Sequence, residues 1–251
     1  DRADGLTTLT LNRPGQFNSL SRDMLTAIRA ELDDIAASEA VRVVVIAGAG
    51  KAFCAGHDLK EMRANHDKGF MQALFRQCGD LMLTITRMPQ PVIARVHGTA
   101  TAAGCQLVSM CDLAVAADVA RFAVSGINVG LFCSTPAVGL ARNLGRKAAL
   151  EMLLTGDFID ALEAKSKGLV NRVVPADALD AEIERLVQSI LAKSAVAVRM
   201  GKGMFYKQLE MGLDAAYDYA SEVMACNMMS DDAGEGIDAF MQKRKPDYKG
   251  R

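Results

Sequence analysis

The chain has no excess of charge of either sign, and that absence argues against nucleic acid as its partner. Its 251 residues include 29 Lys and Arg against 30 Asp and Glu, for a net charge of −1. Nucleic-acid-binding domains usually present a basic face. A small phosphorylated ligand remains compatible with this composition, because it needs only a local cluster of Lys and Arg.

Long apolar runs are also missing. No run approaches the ~18 residues that a membrane-spanning helix requires, so we expect no membrane partner. No signal peptide is visible, and the chain begins at Asp1 without Met. These features predict a cytoplasmic protein, with the mitochondrial matrix as the alternative if a presequence is missing.

Paired cysteines are absent as well. None of the six forms a CxxC pair, and their spacing supports neither a zinc site nor a disulfide framework. Most lie among apolar or small residues, as buried thiols in a reducing compartment do. We therefore expect free thiols and no bound metal. The six are Cys54, Cys78, Cys105, Cys111, Cys133 and Cys226.

Strand and helix signals alternate over the first half of the chain. Residues 6–11 (LTTLTL) alternate with period two, and residues 41–47 (VRVVVIA) resemble a buried parallel strand. Ser21 is a candidate N-cap for a helix with apolar residues at helical spacing. The layered βα pattern continues through four further predicted elements. They are a helix over 59–79 with an interruption near Gly69, a strand over 92–97, a helix over 101–111 and a strand over 113–117.

The later chain is mostly helical. Helices are predicted over 147–155, 160–167, 176–193, 195–209, 213–229 and 231–243, with one strand over 169–174. This change in pattern suggests an α/β core over 1–190 followed by a helical segment over 191–251.

Two glycine-rich loops follow two of these strands. The first, residues 48–58 (GAGKAFCAGHD), fits neither of the two common nucleotide-binding motifs. A dinucleotide fingerprint needs glycine at position 53, which is Phe53, and a P-loop needs glycine at position 45, which is Val45. The second, residues 97–104, leads into a helix whose N-terminus exposes unpaired N–H groups. Two such loops at neighbouring strand ends could direct two N–H groups at one oxygen. Small residues that allow close helix–sheet packing are the alternative explanation.

Five blocks of sequence resemble the crotonase (enoyl-CoA hydratase/isomerase) superfamily in order and spacing over nearly the whole chain. The blocks are LNRPGQFNSLS, GKAFCAGHDLKEM, PVIARVHGTATAAGCQLVSMCDLAVAA, FAVSGINVGLFCSTP and EGIDAFMQKRKPDY. The resemblance implies an α/β fold, a spiral of ββα units with a helical C-terminal trimerisation region, assembled as a homotrimer or a dimer of trimers. It also implies an acyl-CoA thioester as substrate and no separate cofactor.

The resemblance also implies roles for individual residues. The N–H groups of His57 and Ala103 would hold the thioester oxygen and stabilise its enolate. Family contacts to coenzyme A fall on Gln16, Ala55, His57, Leu59 and Lys60. Phe240 and Lys243 match positions that help to bind the nucleotide end, often from a neighbouring subunit, and Arg244 is a further candidate for phosphate contact.

The family's two hydratase glutamates are missing from the positions where they would stand. Gln106 and Gly126 occupy those positions. A glutamine amide does not titrate at neutral pH, and glycine offers no side chain. Two alternative proton-transfer groups are the imidazole of His57 and the thiol of Cys133. We expect the His57 side chain to point away from the oxyanion. Gln106 itself is a candidate for orienting a water.

Two functions follow from this pattern. The first is an acyl-CoA enzyme of hydratase, isomerase or thioester-hydrolysing type with an unusual proton-transfer group. The second is a non-catalytic acyl-CoA-binding protein on the same fold.

Overall fold

The computed structural model describes residues 2–251 and contains two β-sheets surrounded by helices. The larger sheet has the order β1-β2-β3-β5-β7-β10, and its strands run parallel except for the antiparallel β1–β2 pair. Its strands are β1 (Arg2–Ala3), β2 (Leu6–Leu11), β3 (Val43–Gly48), β5 (Val92–Val96), β7 (Leu113–Ala117) and β10 (Arg172–Val174).

The smaller sheet contains the other four strands in the order β4-β6-β8-β9. The first three are parallel, and β9 is antiparallel to β8. Three times in succession a strand of the larger sheet is followed by one of the smaller sheet and then by helix, which is the predicted spiral of ββα units. The four strands are β4 (Ala52–Cys54), β6 (Thr99–Thr101), β8 (Arg121–Ala123) and β9 (Ile159–Asp160).

Eleven α-helices lie within residues 2–251 and cover or extend these sheets. They are α1 (Arg22–Ala36), α2 (Leu59–Ala64), α3 (Lys68–Arg87), α4 (Ala103–Met110), α5 (Ser134–Asn143), α6 (Arg146–Thr155), α7 (Ala161–Lys167), α8 (Leu179–Leu191), α9 (Ala195–Gln208), α10 (Leu213–Met228) and α11 (Asp231–Met241). Within the described range, none is long and apolar enough to cross a membrane.

Long, regular patterns were predicted correctly. Strand β2 has the predicted bounds, and the Ser21 hydroxyl caps α1 by accepting a hydrogen bond from Met24 N–H at 3.2 Å. One face of α1 is fully buried against the sheet through residues at helical spacing: Leu25, Ile28, Leu32 and Ile35. The nearly continuous apolar run of β3 is buried between helix layers on both faces, as expected for a central parallel strand.

Three predictions differ from the structure. The interruption in the 59–79 helix lies at residues 65–67 and not at Gly69, because the Asp67 side chain accepts from Phe70 N–H and starts a new helix. The strands of the smaller sheet were missed because two or three residues carry no periodicity. Helix α5 was missed as well; it carries Pro136 in its first turn, where the missing N–H has no intrahelical partner to lose.

A buried ion pair ties α9 to the core. The Lys202 ammonium donates to Asp112 Oδ2 at 2.7 Å and to the carbonyl oxygens of Ile85 and Gln90 at 2.8 and 2.7 Å. Tyr206 donates to the other carboxylate oxygen at 2.8 Å. Burial lowers the pKa of Lys202, and the attraction of Asp112 opposes that shift. All three donor positions of the ammonium are used, so α9 is held at one place on the core.

Replacing the buried ammonium tests the strength of this link. Lys202→Met leaves the buried Asp112 carboxylate without its counter-ion and two carbonyl oxygens without the ammonium donor, so we expect a loss of about 3–5 kcal/mol in the free energy of unfolding, measured with urea. Lys207→Met, the same substitution at an exposed position of the same helix, is the control and should cost less than about 1 kcal/mol. Equal losses in the two variants would contradict this assignment.

Candidate functional site

The first glycine-rich loop runs from β3 through β4 into α2 and places residues 55–58 at the edge of the smaller sheet. Asp58 caps α2 by accepting from the N–H groups of Lys60 and Glu61 at 3.1 and 3.3 Å. The same carboxylate pairs with Arg13 at 3.1 Å. Desolvation raises the pKa of Asp58, but these hydrogen bonds and Arg13 outweigh it and lower the pKa overall. Asp58 is therefore the N-cap of α2, and the cap anchors the residue next to His57.

Asn18 organises this loop, and sequence reasoning missed it. It is fully buried with a left-handed φ of 57°, a conformation that Asn tolerates better than most residues. Its amide nitrogen lies 2.8, 2.8 and 3.1 Å from the carbonyl oxygens of Ala49, Ala52 and Phe53. One side chain thus contacts three carbonyl oxygens, one before β4 and two within it. The only available signal was its position in the LNRPGQFNSLS block.

The second loop enters α4 through a strained residue. Ala102 has φ 48° and ψ −119°, a conformation that favours glycine, and its N–H donates to Ala123 O at 2.9 Å. The preceding Thr101 hydroxyl donates to Ala55 O on the first loop at 2.9 Å. Helix α4 then begins at Ala103, whose N–H has no partner inside the helix because it belongs to the first turn.

The two loops meet at Gly56 and Ala103. Gly56 has φ +93°, and a Cβ built on it would lie 2.9 Å from Ala102 Cβ and 3.3 Å from Ala103 N. The next residue, His57, forms a parallel bridge with Leu20 that uses Gly56 O and Asp58 N–H. In such a bridge the N–H of the middle residue points away from the partner strand. The bridge with Leu20 therefore does not use the N–H of His57. This amide and that of Ala103 are neighbours.

The imidazole of His57 is packed between its own loop and α3. Its Nδ1 lies 3.3 Å from Leu20 O, and its ring meets the Phe75 ring edge-on with centroids 5.5 Å apart. Nε2 is buried and has no hydrogen-bond partner among the described residues. Burial lowers the pKa of His57, and the contact with Leu20 O opposes that shift.

Gln106 lies one helical turn after Ala103 on the same face of α4. It is 4% exposed, and its Oε1 has no hydrogen-bond partner within residues 2–251. An amide buried without its full set of partners is unusual in a folded protein. The position therefore presents a buried acceptor that does not titrate.

Gly126 lies in the 3₁₀ turn Ser125–Val129, and its surroundings leave no room for a side chain. A Cβ there would lie 2.5 Å from Leu131 O and 2.8 Å from Cys133 Sγ. Burial raises the pKa of the Cys133 thiol, and the backbone N–H of Gly126 opposes that shift. A thiol with a raised pKa is a poor nucleophile, so Cys133 serves here as a packing residue.

The remaining predicted contact residues lie at the surface. Leu59, the first residue of α2, is 59% exposed, and Phe240 on α11 is 85% exposed. Gln16 and Lys60 are exposed beside the first loop, and Lys243 is exposed after α11. Arg244 is not free for a phosphate, because it forms a bidentate pair with Glu235.

No cluster of His, Cys, Asp and Glu that could hold a metal ion occurs in the part of the chain that the structure describes. A groove of about 680 Å³ between α1 and α3 is lined by polar residues, among them Arg29, Asp33 and Arg76. It contains none of the residues of the two loops, so we assign the candidate site to the loops and not to this groove.

Removing the Asn18 amide tests its role in positioning the first loop. Asn18→Gly keeps the left-handed backbone but leaves three carbonyl oxygens without a donor, so we expect a loss of about 2–3 kcal/mol in the free energy of unfolding, measured with urea. Phe17→Gly changes the adjacent exposed residue, which has φ 51°, and should alter stability by less than about 1 kcal/mol. Similar values for the two variants would show that the amide is dispensable.

The chain is similar to known proteins over its whole length. The family model described as "Enoyl-CoA hydratase/isomerase" matches residues 1–251. Enoyl-CoA hydratase domain-containing protein 3, mitochondrial, of Mus musculus is 46% identical over 243 residues, covering 97% of this chain and 81% of that protein. A probable enoyl-CoA hydratase of Mycobacterium tuberculosis is 35% identical over 259 residues, covering 100% of this chain and 97% of that protein.

Solved structures show the same fold. The crystal structure of an enoyl-CoA hydratase from Mycobacterium smegmatis superposes with a TM-score of 0.98 at 60% identity, covering 99% of this chain and 97% of that one. The crystal structure of human enoyl-CoA hydratase domain-containing protein 3 superposes with a TM-score of 0.96 at 45% identity, covering 99% of this chain and 98% of that one. The predicted crotonase fold is confirmed, and this chain belongs to the enoyl-CoA hydratase/isomerase family.

Proposed function

We propose that this protein is an enzyme that acts on acyl-CoA thioesters and holds the thioester oxygen between the N–H groups of His57 and Ala103. The observation that carries the proposal is the 3.3 Å approach of the Gly56 Cβ position to Ala103 N, which brings the two amides together. Such preorganised donors are worth ~10²–10³ in rate each when negative charge develops on the oxygen.

Coenzyme A is proposed as part of the substrate, with no separate cofactor. The proposed contacts are Gln16, Ala55, His57, Leu59 and Lys60. The exposure of Leu59 and Lys60 leaves them available for the pantetheine and the phosphates. The short distance from Asp58 to Arg13 keeps this carboxylate neutralised beside an anionic ligand.

The reaction is enolate chemistry without the usual carboxylates. Gln106 presents a buried amide and Gly126 presents no side chain, so neither moves a proton at neutral pH. The first proposal is therefore a hydratase-like or isomerase-like enzyme whose proton-transfer group differs from the family's pair of glutamates.

One observation favours a second candidate, a non-catalytic acyl-CoA-binding protein. The space beside Gly126 is filled by Leu131 O and Cys133 Sγ, so the position does not accept a carboxylate side chain without movement of the turn. A binding protein would need the oxygen-holding amides but no acid or base.

Assembly as a homotrimer, or as a dimer of trimers, is proposed from the C-terminal helices. With residues 1–190 as the acyl-CoA-binding core, the segment 191–251 presents many exposed apolar side chains, far more than a solvated helical surface needs. Phe240 and Lys243 would then reach the nucleotide end of coenzyme A in a neighbouring subunit. The exposed apolar residues are Phe205, Leu209, Leu213, Tyr217, Met224, Met228, Met229, Ile237, Phe240 and Met241.

For the cellular compartment, the comparisons support the mitochondrial matrix, which was the alternative, more than the predicted cytoplasm. The vertebrate relatives from mouse, rat and human carry "mitochondrial" in their names. The two mycobacterial relatives carry no such word. We propose a mitochondrial matrix or a bacterial cytoplasm, both reducing compartments that suit the free buried thiols.

Removing one N–H tests the oxygen-holding site. Proline is accepted at the first position of a helix, so Ala103→Pro deletes this donor with little cost to α4. We place this substitution in an Ala102→Gly parent, which relieves the strained φ. The double variant should bind the enolate of acetoacetyl-CoA ~10²-fold more weakly than the parent, as measured by near-ultraviolet absorbance. Arg146→Pro, at the first residue of α6, is the control and should bind like the unmodified protein. Equal enolate affinity in the Ala102→Gly parent and the double variant would contradict the proposed site.

Hydration of crotonyl-CoA tests how far the lost carboxylates matter. Each positioned acid or base contributes ~10²–10⁴, so we expect turnover at least ~100-fold below the ~10 s⁻¹ of a median enzyme. Gln106→Glu restores one carboxylate and should raise the rate. Turnover of about 10 s⁻¹ by the unmodified protein would show that another group supplies full acid–base catalysis.

A further inference from the structure

The first of the two loops is fixed to a segment near the start of the chain. Residues 55–58 are bound to residues 17–20 by backbone hydrogen bonds on one side of the loop. Ala55 N–H donates to Phe17 O at 3.0 Å, Leu20 N–H to Gly56 O at 2.7 Å, and Asp58 N–H to Leu20 O at 3.3 Å. The position of the His57 amide between them therefore follows residues 17–20.

The second loop is fixed to a different segment, strand β8. Thr101 pairs with Ala123 in the parallel ladder of β6 and β8, and Ala102 N–H donates to Ala123 O at 2.9 Å. Helix α4 begins at the next residue, so the position of the Ala103 amide follows β8. Two amides that must meet at one oxygen are thus carried by separately anchored segments.

One side chain joins the two loops. The Thr101 hydroxyl donates to Ala55 O at 2.9 Å, and within the described chain no other hydrogen bond links residues 55–58 to residues 101–104. Thr101 is 8% exposed, and its β-branched side chain has few accessible χ1 rotamers. The hydroxyl therefore holds the first loop in a defined direction.

Close packing limits the approach of the loops from the other side. A Cβ built on Gly56 would lie 3.1 Å from Thr101 O and 3.3 Å from Ala103 N. The backbone contact at Gly56 prevents the loops from coming nearer, because the van der Waals surfaces already meet there. The hydrogen bond from Thr101 prevents them from separating.

We propose that Thr101 is a positioning residue of the acyl site, whose hydroxyl sets the spacing between the N–H groups of His57 and Ala103. This inference rests on the proposed function above. Thr101 acts through Ala55 O, two residues before His57, and not through the ligand. Both amides must reach one oxygen, and a misplacement of about 1 Å at a reacting centre can cost ~10²-fold in rate.

Binding of two ligands to Thr101→Val tests this role. The enolate of acetoacetyl-CoA, followed by near-ultraviolet absorbance, carries the oxygen that the two amides hold, whereas free coenzyme A, followed by calorimetry, has no thioester oxygen. Valine keeps the size of the side chain and removes the hydroxyl. The variant should bind the enolate about 10-fold more weakly than the unmodified protein, because the loop shifts by less than about 1 Å. Its affinity for coenzyme A should be unchanged.

Two further variants isolate the hydroxyl. Thr101→Ser keeps the donor and should bind the enolate like the unmodified protein. Thr99→Val makes the same substitution two residues earlier on β6, at a partly exposed position, and should also leave enolate binding unchanged. If Thr101→Val does not fold, Thr101→Ala removes the same hydroxyl and repeats the comparison.

The outcomes separate this inference from the proposed function. Equal enolate affinity in the unmodified protein and Thr101→Val, or an equal loss of enolate and coenzyme A binding, overturns the role of Thr101 and leaves the proposed acyl-CoA site intact. Enolate binding by Thr101→Ser as weak as that by Thr101→Val overturns it as well. If the unmodified protein binds no enolate, the proposed function and this inference fail together.

Discussion

The close approach of helix α4 to strand β4 is the constraint on which the rest of the site depends. A Cβ on Gly104 would lie 2.7 Å from the carbonyl carbon of Cys54 and 2.9 Å from its Cβ, so only glycine allows the helix to start this close to the smaller sheet. The same approach places the Gly56 Cβ position 3.3 Å from Ala103 N and forces Ala102 into a glycine-like conformation. Backbone strain at this point is the cost of aligning the two amides.

Electrostatics at the site are therefore provided by the backbone and not by charged side chains. The N-terminus of α4 carries partial positive charge at the point where the two loops meet, and this contribution does not depend on pH. Gln106 and Gly126 do not titrate, so any pH dependence of the proposed chemistry must come from another group. The imidazole of His57 is a titratable group on the first loop, and it is held by Leu20 O and the Phe75 ring.

One buried carboxylate joins the C-terminal helices to this core, and a second joins parts of the C-terminal segment to one another. Asp112 receives Lys202 and Tyr206 from α9. Asp232 of α11 is 2% exposed and accepts from the Ser194 hydroxyl at 2.6 Å and from Lys249 N–H at 2.6 Å. Burial raises the pKa of Asp232, but these hydrogen bonds outweigh it and lower the pKa overall. The helices are thus fixed in orientation, which leaves their apolar side chains facing outward as a defined surface.

The sequence by itself determined the elements with long periodic patterns, the family, and the two loops that carry the amides. Strand β2, helix α1 with its Ser21 cap and the Asp58 cap follow from local chemistry, which acts over a few residues and is visible in the chain. The two- and three-residue strands of the smaller sheet were not predictable, because their stability comes from pairing with segments about 20 to 50 residues away.

Only the tertiary structure decided how the loops are held and what each buried polar atom contacts. The three carbonyl oxygens bound by Asn18 lie more than 30 residues further along the chain, and the ammonium that pairs with Asp112 comes from a helix 90 residues away. The position of the His57 ring depends on its contacts with Leu20 O and the Phe75 ring, which come from separate elements. Such contacts depend on packing between distant segments, and no local pattern in the sequence encodes them.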